Sequence, residues 1–148
     1  MLYDRPTPTA DVDVVQIVPQ SGYDELVRLG GEGSKLHKKY KLYFELTGIA
    51  KTPDDYETRL KEMFEGRFKH LRLFALDPYD IALAKLERNI QRDREDVQHL
   101  ARKVPFDLQI LKDRYERELK PNLANPMGRE DTTLQLWLDM IREEREEA

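Results

Sequence analysis

The chain has 148 residues, 39% hydrophobic and 36% charged, which is long enough for one domain with a core but predicts thin layers and exposed helices. Its 25 Lys and Arg against 29 Asp and Glu give a net charge of −4, with the basic residues spread along the chain, so no basic stripe announces a nucleic-acid partner. The lack of cysteine excludes a disulfide framework, a thiolate zinc site and a cysteine nucleophile. His37, His70 and His99 show no ligand spacing, and without a membrane-length apolar run or a secretory leader the expectation is a soluble, cytoplasmic protein.

In chain order, Arg5-Pro6-Thr7-Pro8-Thr9 predicts an extended lead-in, because each proline fixes its own φ and disfavours helix before it. Residues 11–18, rich in β-branched side chains, predict a strand that Pro19 ends. Residues 21–30 predict a short helix, 30–34 a glycine-rich loop, 35–40 another helical turn or two, and 42–50 a second strand. Thr52-Pro53-Asp54-Asp55 has the composition of a helix start, predicting a helix to about Phe64 that Gly66 stops. Residues 71–76 predict a third strand. Asp77-Pro78 predicts a second helix start, with helical pattern to Ala101 and a break near Asn89–Asp93. Asp107 begins a helix carrying Leu108, Leu111, Tyr115 and Leu119. After a polar loop, 121–130, a last helix carries Leu134, Trp137, Leu138 and Ile141 at i, i+3, i+4 and i+7, and the charged tail frays. The expected fold class is α+β: one domain, 1–148, with a sheet-containing half, 1–76, and a helical half, 77–148.

Alternation within a strand puts Asp11 and Asp13 on one face, roughly 6–7 Å apart along the chain. Two carboxylates so placed can hold Mg²⁺, which is commonly bound by one or two carboxylates plus substrate phosphates. The alternative is a solvated acidic edge that discourages aggregation. Glu45 lies between Phe44 and Leu46, and it completes a three-carboxylate cluster if its strand neighbours the first. Otherwise Lys41, Tyr43, Glu45 and Thr47 form an ordinary polar face.

Lys85, Arg88, Arg92 and Asp96 form a third cluster. An unbroken helix puts Lys85 and Arg92 on one face, and Arg92 and Asp96 are spaced to pair. Such a face either receives phosphates or is a solvated helix laced with ion pairs. Gly30–Lys35 lacks phosphate-loop spacing and reads as a turn between helices. His37, beside Lys38 and Lys39, reads as a surface residue, and Trp137 as core. Ser21 and Ser34 have no triad partners.

Thr9-Ala10-Asp11-Val12-Asp13-Val14-Val15 resembles the acidic strand motif of the nucleotidyltransferase superfamily. Most of the chain is similar to an uncharacterised prokaryotic family within it, through Arg5–Thr9, Ser34–Tyr40, Leu76–Asn89 and Arg92–Val97. The block from Lys85 to Asp96 also resembles the Lys and Arg-x-x-x-Asp region of nucleotidyltransferase-type toxins of toxin–antitoxin and abortive-infection systems. The resemblance implies that Asp11 and Asp13 bind Mg²⁺ or Mn²⁺, with Glu45 as a third carboxylate. Lys85 would contact a nucleoside triphosphate, and Arg92 and Asp96 would support it. It implies transfer of a nucleotide to tRNA or a protein hydroxyl, and a cognate toxin or antitoxin partner. A binding or antitoxin-like member without catalysis is the alternative. The superfamily places a Gly-Ser or Gly-Gly turn, whose N–H groups hold the phosphates, ahead of the acidic pair. The ten residues before Asp11 contain no glycine, and Met1-Leu2-Tyr3 resembles the middle of the helix after that turn. The expectation is a truncated nucleotidyltransferase-like sheet of about three strands with little catalytic turnover of its own.

Overall fold

The computed structural model describes residues 11–46, 51–123 and 128–146. The expectations for Met1–Tyr3, for the Arg5–Thr9 lead-in, for Thr47–Ala50, for 124–127 of the polar loop and for the last two residues of the tail fall outside these. The chain forms two compact units, Met1–Ala50 and Lys51–Ala148.

In the first unit, strand β1 (Asp11–Val14) pairs in parallel with strand β2 (Tyr43–Leu46). Parallel neighbours need a crossover between them. Helices α1 (Tyr23–Gly30) and α2 (Lys35–Tyr40) supply it. The glycine-rich segment is the turn between these helices. Gly30 has to be glycine, because a Cβ there would lie 2.6 Å from the Phe44 ring. Ser34 caps α2 by accepting from the His37 N–H at 3.0 Å. Pairing of β1 stops at Val14, so the strand expected over 11–18 is half that length. The apolar residues that follow it are only partly covered, and Val18 is 79% exposed.

The second unit holds the core. Strands β3 (Lys61–Met63) and β4 (Leu73–Ala75) form a two-stranded antiparallel ribbon. Then come helices α3 (Pro78–Ala84), α4 (Gln91–Lys103), α5 (Leu108–Arg114) and α6 (Arg129–Glu146). Leu83, Leu86, Val97, Leu100, Phe106, Leu111, Tyr115, Leu119, Leu134, Trp137, Leu138 and Ile141 are buried together. The helical spacing of Leu134, Trp137, Leu138 and Ile141 therefore marks the core face of α6, as the sequence implies. Asp77 caps α3 by accepting from the Tyr79 N–H, and Asp107 caps α5 through the Gln109 N–H. Among the described residues no helix is long and apolar enough to cross a membrane.

The α+β class holds, but the strands lie in two small sheets instead of one. The helix expected over 52–64 is replaced by a single 3₁₀ turn, Tyr56–Arg59, followed by β3. The cause is tertiary. Lys61–Met63 find ladder partners in Leu73–Ala75, and Arg59 is drawn out of any helical path onto Asp80 and Glu118.

Asp80 is fully buried. It accepts from Arg59 Nε at 2.9 Å, from Arg59 Nη2 at 3.0 Å and from Arg114 Nη1 at 3.2 Å. Arg59 also reaches Glu118 at 2.7 Å, and Arg114 reaches Asp77 at 2.7 Å while lying over the Tyr79 ring. The Asp80 bonds above all, and then those to Glu118, hold the Arg59 guanidinium more firmly protonated than usual, against its partial burial. Removing one member of such a group leaves opposite charges uncompensated in a poorly hydrated place. Asp80→Ala is therefore expected to destabilise the second unit by about 3 kcal/mol. Urea unfolding followed by the fluorescence of Trp137, the chain's one tryptophan, measures it. A loss below about 1 kcal/mol would mean that the cluster is a surface ornament of the kind exposed pairs form.

Candidate functional site

The register of the parallel pair sets Asp11 opposite Tyr43, Val12 opposite Phe44, Asp13 opposite Glu45 and Val14 opposite Leu46. Residues opposed in a parallel pair share a face, so Asp11, Asp13, Tyr43 and Glu45 lie on one side and the apolar residues on the other. Asp13 and Glu45 are exposed, and Asp11 is half-buried. The effect of these carboxylates is legible on Tyr43. Its hydroxyl is pushed above the ordinary tyrosine range, first by desolvation and then by Glu32, Asp11, Glu45 and Asp13. The ring of His37 packs at 4.7 Å from that of Tyr43, and its Nδ1 accepts the Gly33 N–H at 2.9 Å. His37 is thus a helix-turn residue beside the acidic face, a placement that its lysine neighbours in the sequence did not signal.

Among the described residues no three His, Asp or Glu side chains converge closely enough to hold one metal ion. Asp11, Asp13 and Glu45 share a face without forming a ready cage. All the same, the donor set suits a hard cation that shares its coordination between one or two carboxylates and phosphate oxygens. It does not suit a resident structural metal.

Lys85, Arg92 and Asp96 belong to the second unit. α3 ends at Ala84 and α4 begins at Gln91, with Asn89 between them at φ 44°. The break expected near Asn89–Asp93 is thus present, and the shared face of Lys85 and Arg92, which required an unbroken helix, does not form. Asn89 fixes the break from the side. Its amide oxygen accepts from Trp137 Nε1 at 3.3 Å, and its amide nitrogen reaches Thr133 Oγ1 at 3.4 Å.

Lys85 Nζ donates to Asp96 Oδ2 at 2.8 Å and lies 3.5 Å from Asp93 Oδ1. An ammonium has three donors, so this arrangement leaves Lys85 capacity for a further acceptor. Arg92 is exposed on the first turn of α4. Asp93, which composition did not single out, is the centre of this cluster. It is fully buried, and it accepts from Arg88 Nε at 2.8 Å and from the Ile90 N–H at 3.1 Å. The second of these bonds caps the start of α4.

A family model described as a nucleotidyltransferase of unknown function (DUF6036) matches residues 4–144. The chain belongs to this family of nucleotidyltransferases. No curated protein and no solved structure matches it significantly.

Burial works against the charge of Asp93, but the bonds from Arg88 and Ile90 and the nearby Lys85 outweigh it, and the carboxyl is held below its ordinary range. A depressed folded-state value means that the stabilisation is complete above the unfolded value, about pH 4, and drains away as the pH falls through the folded one. The stability gap between wild type and Asp93→Asn is thus expected at pH 7 and shrinks below about pH 4. Urea midpoints between pH 7 and pH 2.5 measure it, and a gap constant across that range would remove the ionised carboxylate from the account.

Proposed function

We propose that the chain is a Mg²⁺-dependent nucleotidyltransferase that moves a nucleotide from a nucleoside triphosphate to an acceptor hydroxyl. The observation that carries this reading is the parallel register of β1 on β2, which gathers Asp11, Asp13 and Glu45 on one face in a member of a nucleotidyltransferase family. Asp11 and Asp13 would hold the cation together with the triphosphate, and Glu45 is the adjacent carboxylate within reach of the same face. Bound there, the cation would neutralise charge on the phosphates. The family resemblance, and not the placement of the two units, gives Lys85 a role in contacting a nucleoside triphosphate, with the donor capacity that Asp96 leaves it. Asp96 would orient Lys85, and Arg92 would add a second cation. The acceptor oxygen attacks the α-phosphorus in line and the bond to the bridging oxygen breaks. Pyrophosphate leaves, and the hydroxyl proton passes to solvent. RNA and protein hydroxyls both meet this chemistry, and the likeness to toxin-type enzymes adds a cognate partner protein to the reading.

One observation favours a second reading, a catalytically silent binding protein. Lys85 is already flanked by two carboxylates, Asp96 and an Asp93 that it shares with Arg88, so its charge is met within the cluster. An ammonium in that setting attracts phosphate less than an unpaired one.

Calorimetric titration separates the readings. Wild type is expected to bind Mg²⁺ or Mn²⁺ weakly, and Asp11→Asn and Asp13→Asn to lose that binding. Equal heats in all three would remove the site. With α-labelled nucleoside triphosphates and total RNA or total protein as acceptor, label transfer is expected to fall at least 100-fold in Asp13→Asn, the scale on which electrostatic groups at phosphoryl centres act. Cation binding with no label transfer from any of the four nucleotides would decide for the silent reading.

A further inference from the structure

The ribbon of β3 and β4 with its connecting loop, residues 61–75, has no part in the transfer chemistry. Its large apolar side chains stay out of the core: Phe64 is 58% exposed, Phe68 45%, Leu71 44%, Leu73 39% and Phe74 46%. Interleaved with them are Lys61, Arg67, Lys69, His70 and Arg72, against Glu62 and Glu65 alone. The segment is therefore positive in a chain whose net charge is −4. Counted over the whole chain the basic residues look evenly spread. The hairpin is what brings these together.

The geometry of the loop presents rings and cations side by side. Phe64 sits at φ 56° and Gly66 at φ 69°, closing a turn in which the Arg67 N–H donates to the Phe64 carbonyl at 2.9 Å. The Phe64 and Phe68 rings meet edge to face with centroids 6.2 Å apart. Arg72 is held by Glu62 and lies over the Phe74 ring at 4.9 Å. Among the described residues Arg67 and Lys69 have no ion-pair partner.

Exposed rings beside unneutralised cations match one chemistry well. A single-stranded polynucleotide carries one negative charge per nucleotide and offers unpaired bases whose flat faces stack on aromatic side chains. An acidic peptide would satisfy the cations and leave the rings unused. A duplex would satisfy the cations and hide its base faces. We propose that this ribbon is a docking surface for a single-stranded polynucleotide, with bases stacked on Phe64 and Phe68 and phosphates held by Arg67 and Lys69. The surface requires neither cation nor triphosphate, so it stands or falls apart from the transfer reading. Neither a phenyl face nor a point charge distinguishes ribose from deoxyribose, so RNA and DNA strands should bind alike.

Fluorescence anisotropy of the full chain with a labelled 12-nucleotide RNA of mixed sequence tests this. Binding is expected to weaken at least tenfold in Phe64→Ala/Phe68→Ala, within the range of base–aromatic stacking. In Arg67→Gln/Lys69→Gln the slope of log affinity against log salt is expected to flatten by about 1.4, two phosphate contacts on a single strand. A DNA strand of the same sequence should bind within about threefold, and a duplex of the same length at least fivefold more weakly. All four substituted positions are exposed, and unchanged Trp137 emission confirms that the variants fold. Wild-type affinity retained in both double variants overturns the proposal. So does binding to vesicles of phosphatidylglycerol without binding to the oligonucleotides.

Discussion

A single buried carboxylate, Asp80, ties together three segments of the second unit that are far apart in sequence. Arg59 comes from the turn before the ribbon, Asp80 from the first turn of α3, and Arg114 from the end of α5. Both guanidiniums are satisfied a second time, by Glu118 and by Asp77. Arginine suits this work because its planar fork meets carboxylates in a fixed geometry and keeps its charge when partly buried. The group sits against the Tyr79 ring, which in turn packs edge-on to Phe106 and accepts the Asp107 N–H through its hydroxyl. Apolar and ionic contacts thus converge at one corner, and the caps of α3 and α5 are fixed there.

Such use of charge explains how a chain with 36% charged residues still builds a core. Asp93 does at the start of α4 what Asp80 does at the start of α3. Each is a fully buried aspartate near a helix N-terminus with arginine beside it. At Asp93 the bonds from Arg88 and the Ile90 N–H outweigh the cost of dehydrating the carboxylate; at Asp80 two guanidiniums surround the buried charge. A third polar contact, from the Tyr115 hydroxyl to Asp131 at 2.7 Å, links the helical segment after α5 to the first turn of α6.

Much of this was written locally. The cap residues Asp77 and Asp107, the apolar stripe of α6, and the glycines between α1 and α2 act within a few residues of themselves, and their sequence signals matched the structure. Two apolar stretches of β-branched and aromatic residues marked β1 and β2 as strands, while their pairing, which sets Glu45 opposite Asp13, was left open by the sequence. What failed to show were relations across distance. The helix-start composition at Thr52–Asp55 is genuine but loses to a ladder partner beyond the next turn and to a salt link 21 residues away. The break expected near Asn89–Asp93 is present, but the bonds of Asn89 to Trp137 and Thr133 that hold it are long-range and were not legible. Nothing near Asp80 in sequence tells that Arg59 and Arg114, 21 and 34 residues away, will fold over it.

The turn at the tip of the ribbon carries a backbone cost that, among the described residues, Lys41 and Asn89 also bear. A residue with a β-carbon loses roughly 1–2 kcal/mol in the left-handed region. Glycine, which occupies that region freely, stands two positions on at Gly66. Replacing Phe64 by glycine would relax the backbone and leave the core untouched. A chain shaped for stability alone would have the smaller residue there. The bulky one marks a compromise between a restful backbone and an aromatic face kept in water.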